Sequence, residues 1–160
     1  MARVLPLLCV VLTACTGHAV PRQSGASAET VVWTRVTTLA ELDAALRAVS
    51  EPRPIVIDFH AAWCMPCIEL EQTTFVDPTV TAEMRRFTAI QIDVTDDTAS
   101  ELRQLFTAET LPNVQVYAAD SALGQRITAW RPGSALPRPA EQVTSFVSPA
   151  ELAPMLAKVR

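Results

Sequence analysis

Nine consecutive residues restrict the fold of this chain more than any other stretch: Phe59-His60-Ala61-Ala62-Trp63-Cys64-Met65-Pro66-Cys67. They continue the run Ile55-Val56-Ile57-Asp58-Phe59, whose β-branched apolar character is that of a strand buried on both faces of a sheet. Pro66 fits the first turn of a helix, where its missing amide would be unpaired in any case. The pattern therefore predicts a buried strand, a tight connection and a helix that begins at the cysteines. At a helix N-terminus the free amides and the helix dipole favour thiolate over thiol, which makes Cys64 the expected nucleophile. Cys67, one turn on, can attack the mixed disulfide that Cys64 forms with a substrate and so release the product.

The remaining cysteines support a chemical role for this pair. The chain has four, and two of them, Cys9 and Cys15, lie in an N-terminal segment set apart from the rest. Arg3 precedes an almost wholly apolar stretch from Leu5 to Ala14, which breaks at Thr16-Gly17-His18. A run of about ten apolar residues is too short to span a bilayer but suits the core of a signal peptide. Leu12-Thr13-Ala14-Cys15 resembles a bacterial lipobox, so residues 1–14 are expected to be removed and Cys15 to carry lipid. Ordinary cleavage after Ala19 is the alternative, and either route takes the protein out of the cytoplasm. Residues 15–32 then form the lipidated terminus and a small, polar tether, and 33–160 the folded domain. That leaves Cys64 and Cys67 alone in the mature domain. A bridge closing so short a loop removes little entropy from the unfolded chain and would be a weak staple. A zinc site is short of ligands, because the two histidines of the chain are His18, in the tether, and His60. No metal and no cofactor beyond the redox-active cysteine pair is expected.

Along the domain, strand and helix signals alternate. Val31-Val32-Trp33 reads as a short edge strand. Thr38 and Glu41 form a capping box ahead of Leu39, Leu42, Ala45, Leu46 and Val49 at helical spacing. After the cysteines, Ile68-Glu69-Leu70-Glu71 continues a helix, and Asp77-Pro78 opens another that runs through Met84. Phe87 to Val94 alternates as a strand, Asp97 to Phe106 is an amphipathic helix, and Val114 to Tyr117 is a strand. Residues 119–141 read as an extended hairpin connection with an insertion, Gln142 to Phe146 as the closing strand, and Ser148-Pro149-Ala150-Glu151 as the cap of a final helix. The order predicts an α/β fold with a central mixed sheet and helices on both faces. Apolar residues make up 49% of the chain, ample for such a core, and a formal charge of −4 argues against a nucleic-acid partner.

These residues together resemble the thioredoxin superfamily and, within it, the C-terminal periplasmic domain of the disulfide reductase DsbD. The likeness covers roughly residues 36–160. It rests on Asp58-Phe59, Ala61-x-Trp63-Cys64-x-x-Cys67, Glu69-Leu70-Glu71, Thr74-Phe75-x-Asp77-Pro78-x-Val80, Val94-Thr95, Leu111-Pro112 and Val143-Thr144-x-Phe146. The resemblance implies a cis peptide bond at Leu111-Pro112, placed to pair with substrate main chain. It also implies a buried carboxylate, Asp58, that takes and returns the proton of Cys67, with Glu71 as a second acidic modulator. Trp63 is expected to shield Cys64 and meet the substrate. Met65-Pro66 differs from the pairs usual in DsbD, Ile68 stands where a lysine is common, and residues 124–140 are longer than in relatives.

The function implied is that of an exported, monomeric dithiol reductase or electron carrier. It would be fed by a membrane-embedded thiol donor and act on oxidised protein substrates. A cytochrome c maturation-type reductase is a second reading, and a lipid-anchored module binding Cu(I) or protein a third. Asp58 separates the last from exchange chemistry, since a copper site needs no buried proton acceptor.

Overall fold

The computed structural model describes residues 30–130 and 134–160. The signal peptide at 1–14, the lipobox with Cys15 and nearly all of the tether lie outside the described residues.

The apolar run Ile55–His60 forms β2, the middle strand of a five-stranded sheet ordered β1-β3-β2-β4-β5. The others are β1 (Thr34–Val36), β3 (Thr88–Asp93), β4 (Asn113–Tyr117) and β5 (Glu141–Val143). One half of the sheet is parallel: β3 lies between β1 and β2, with Ile57 opposite Ile90. The other half is antiparallel, with Asp58 opposite Val114 on β4 and Val114 opposite Val143 on β5. The expected mixed sheet is present, and helices cover both faces.

Alternation along the strands sorts the core into two layers. Ile55, Ile57 and Phe59 face one layer with Ile90 and Ile92. Helices α1 (Leu39–Arg47), α4 (Ser100–Leu105, entered through a tighter turn at Asp97–Ala99) and α5 (Leu123–Thr128) close that layer with Leu42, Leu46, Leu102, Leu123 and Ile127. Val56, Ala89, Val114, Val116 and Val143 face the opposite layer. There α3 (Pro78–Met84) and α6 (Pro149–Lys158) supply Val80, Met84, Leu152 and Leu156, joined by Leu70 just past α2 (Met65–Glu69). Each large side chain so buried contributes about 1.5–3 kcal/mol over leaving it exposed.

Helix ends follow the capping chemistry. Thr38 Oγ1 accepts from the Glu41 amide, and the Glu41 carboxylate accepts from the Thr38 amide in return. Asp77 accepts from the Thr79 amide ahead of Pro78, and Glu151 reaches back to the Ser148 amide at 2.9 Å. At its C-terminus α6 is held by Arg86, whose guanidinium donates to the carbonyls of Leu156 and Val159. Beyond Glu69 helix α2 widens into a π-helical turn over Leu70–Thr74. Thr74 there donates its hydroxyl to the Val147 carbonyl at 2.7 Å, tying the helix to the loop before α6.

Three expectations are corrected. The edge strand is Thr34–Val36 rather than Val31–Trp33, because Val36 enters the core while Trp33 packs edge-on against Phe75, ring centroids 5.1 Å apart. The stretch 119–141 is no extended connection: it contains α5, whose Leu123 and Ile127 seat it against the layer of α1. The closing strand is Glu141–Val143, and Phe146 lies beyond it, 40% exposed.

Candidate active site

β2 ends at His60, and the chain turns sharply so that the Cys64 amide donates to the Ala61 carbonyl at 3.0 Å. Cys64 is the N-cap of α2: its sulfur accepts from the Cys67 amide at 3.3 Å, and Pro66 stands in the first turn. The two cysteines form a disulfide with Cα atoms 5.3 Å apart. Both are almost fully covered, whereas their neighbours Trp63 and Met65 are 62% and 71% exposed. A partner reaching the disulfide therefore meets an indole and a thioether first.

The turn is braced from β3. Asp93 accepts from the Thr95 amide at 2.8 Å and so fixes Thr95. The Thr95 hydroxyl then accepts from the Ala62 amide at 2.9 Å, and its carbonyl from the Trp63 indole at 3.1 Å. Sequence reading gave Thr95 no such role; the contact joins residues 33 apart in the chain and has no local signature.

The Leu111–Pro112 peptide bond is cis. Phe59 pairs with Asn113, which sets Pro112 at the same end of the sheet as His60 and the cysteine turn. Below it runs a buried polar chain along one face of β4. The Tyr117 hydroxyl donates to Gln115 at 2.6 Å, while Gln115 Nε2 donates both to Asn113 Oδ1 and to the Phe106 carbonyl at 3.0 Å.

Asp58 is 3% exposed. One carboxylate oxygen, Oδ2, accepts from Gln91 Nε2 at 3.1 Å, and the other has no partner. Loss of hydration pushes its pKa up from the ordinary carboxylate range to about 6; Gln91 and His60 oppose the rise and the like charge of Glu71 adds to it. The next residue, Phe59, has its carbonyl oxygen 4.0 Å from Cys67 Sγ. Glu71, on the wide turn after α2, lies 3.7 Å from Arg35 on β1. His60 is half-buried, with no partner for Nδ1. The structure thus gathers Cys64, Cys67, Trp63, Pro112 and Asp58 at one end of the sheet, with Glu71 within electrostatic reach of Asp58. Gln91, like Thr95, is a residue that sequence reading missed. A carboxyl of this kind can exchange a proton near neutral pH. Among the described residues no group of three or more His, Cys, Asp or Glu is placed to hold a metal ion, and no helix is long and apolar enough to cross a membrane.

The thioredoxin-like family model matches residues 37–119, just over half of the chain. The chain belongs to the thioredoxin-like family. Among curated proteins, this thioredoxin-like chain is 42% identical over 72 residues to the thiol:disulfide interchange protein DsbD of Ralstonia nicotianae, a match that covers 44% of the chain and 12% of that protein. A second relative of the same name, from Vibrio cholerae, is 29% identical over 102 residues, covering 62% of the chain and 17% of the relative. The chain thus spans less than a fifth of the length of either relative. Among solved structures, the C-terminal domain of Neisseria meningitidis DsbD in its oxidised form superposes with a TM-score of 0.54 at 26% identity, over 76% of this chain and 91% of that one. The reduced form gives 0.56 at the same identity, over 79% and 100%. A thioredoxin from Nicotiana alata, at 21% identity and a TM-score of 0.57 over 85% and 99%, shares the fold. Fold, family and the bonded cysteine pair mark the thioredoxin-like chain as a thiol–disulfide oxidoreductase.

Proposed function

We propose that the chain is an exported protein-disulfide reductase, tethered to a membrane through Cys15 and facing the periplasm. The observation that carries this reading is the Cys64–Cys67 disulfide at the start of α2, after a strand that holds a buried carboxyl with its pKa raised to about 6. In the reduced protein the Cys64 thiolate attacks one sulfur of a substrate disulfide; the other substrate sulfur leaves and takes up a proton. Cys67, giving its proton to Asp58, then attacks Cys64 Sγ of the mixed disulfide and releases the second substrate thiol. Two electrons have passed to the substrate, and the Cys64–Cys67 bond is re-formed. Trp63 and the Leu111–Pro112 edge receive the substrate, and Glu71 modulates Asp58.

Likeness to a thiol:disulfide interchange protein and to the C-terminal domain of DsbD supports the exchange chemistry, and the reducing direction is part of the proposal. A membrane-embedded thiol protein would then restore the dithiol, and oxidised exported proteins would be the substrates. The reduction potential of the Cys64–Cys67 couple, measured against dithiothreitol or glutathione buffers, tests the proposal. A value near about −270 mV is expected for a reductase. One near about −120 mV would make the protein an oxidant instead, and absence of any reversible couple would end the exchange reading.

A further inference from the structure

Arg35 stands on the edge strand β1, outside the exchange chemistry described above. Its Nε donates to Gln91 Oε1 at 3.0 Å, and Gln91 Nε2 donates to Asp58 Oδ2 at 3.1 Å. The three residues lie at one level of the sheet, Arg35 opposite Gln91 on β3 and Gln91 opposite Asp58 on β2. A polar row therefore crosses from the exposed edge to the buried carboxylate. Its outer end bends back to α2 through the Arg35–Glu71 pair.

The row has a direction, and Arg35 sets it. A guanidinium has donors only, so Gln91 must turn its oxygen toward Arg35. That leaves the amide NH2, and nothing else, facing Asp58. Without Arg35 the amide can rotate by half a turn and offer its oxygen instead. An amide oxygen repels a carboxylate but accepts from a protonated carboxyl, so the two orientations favour opposite protonation states of Asp58. We propose that Arg35 is a positioning residue for disulfide exchange: it locks the Gln91 amide as a donor to Asp58, and so holds Asp58 ready to accept the proton of Cys67. The proposal deepens the oxidoreductase reading and rests on it for the role of Asp58.

The other groups acting on Asp58 are His60 on its own strand and Glu71 on the turn after α2; β4 presents the apolar Val114 opposite it. Arg35 itself is 70% exposed at its side chain, so water and salt screen its direct field at Asp58. Its influence travels through the orientation of the amide.

The test is the titration of the Asp58 carboxyl, followed by carbon-13 NMR in the oxidised full chain, with the pH profile of exchange measured on the same proteins. Arg35→Met is expected to raise the Asp58 midpoint by about one pH unit, the tenfold change that weakening one charge-assisted hydrogen bond implies. Arg35→Lys, still a pure donor, should restore most of the shift, and Arg35→Gln, which can accept as well as donate, should fall between. In a Gln91→Leu background Arg35→Met should add nothing, because its intermediary is gone. A midpoint unchanged in Arg35→Met, or an equal shift with and without Gln91, would overturn the proposal. Should the wild type lack a reversible dithiol–disulfide couple, the oxidoreductase reading fails, while the Asp58 titration still decides whether Arg35 acts through Gln91.

Discussion

Replacing Asp58 by asparagine should stabilise the oxidised protein at neutral pH and leave it little changed in acid. Burial raises the carboxyl pKa from 3.8 to about 6, so the folded state holds its proton over a range where the unfolded chain has lost it. The sign follows from that difference. Below about pH 3 the carboxyl is protonated in both states and costs nothing as a charge. As pH rises toward 6 the unfolded state ionises freely and the folded state does not, so stability falls; above 6 the full cost is present. A shift of roughly two units corresponds to about 3 kcal/mol. Asparagine keeps the size of the side chain and an oxygen for Gln91 Nε2, and it has no charge to bury. The stability of Asp58→Asn minus that of wild type should therefore grow by about 3 kcal/mol between about pH 3 and pH 8. With a urea slope of about 2 kcal/mol per molar, the midpoints should separate by a further ~1.5 M. Any fixed packing difference between the two side chains cancels in this comparison, since only the change with pH is read. A difference that stays flat across the range would refute the idea that Asp58 is buried against its ionisation.

Other expectations are simpler to check. Cys64→Ser should abolish insulin-reduction turnover, whereas Cys67→Ser should accumulate mixed disulfides visible on non-reducing gels; equal, mild losses would reverse the assigned roles. Thr95→Val removes the acceptor for the Ala62 amide and should cost about 1 kcal/mol in denaturant unfolding, with slower exchange from a looser cysteine turn. Thr38→Ala should cost about 1 kcal/mol through the cap of α1, with the reduction potential unmoved. Leu123→Ala, at a fully buried site of α5, should cost roughly 2–5 kcal/mol and show that this short helix belongs to the core.

What could be read from the sequence was what local chemistry dictates. The capping residues Thr38, Asp77 and Glu151 announce helix starts within four positions of themselves, and the structure places helices there. Asp58 stood out because a charge inside Ile-Val-Ile-x-Phe has no solvent to turn to. Helix α5 was missed for the converse reason. It is one and a half turns long, buries only Leu123 and Ile127, and starts from Ala122 at φ 57° with no side-chain cap. The strand Glu141–Val143 is too short for alternation to fix its ends. Gln91 and Arg35 each look like ordinary polar residues in their own strands. Their meaning comes from register, which puts them beside Asp58 across residues 33 and 23 apart in sequence, and register is a property of the assembled sheet.

The hold of Arg86 on the last turn of α6 makes one side chain a clasp between two helices. Leu152, Leu156 and Val159 finish the layer that covers Val56, Val114 and Val116, beside Val80 and Met84 of α3. Arg86 closely follows α3, so the carbonyls it grips tie the seating of α6 to the position of its neighbour. Opening one of these helices thus loosens the other, and the pair forms one cooperative flap over that face of the sheet.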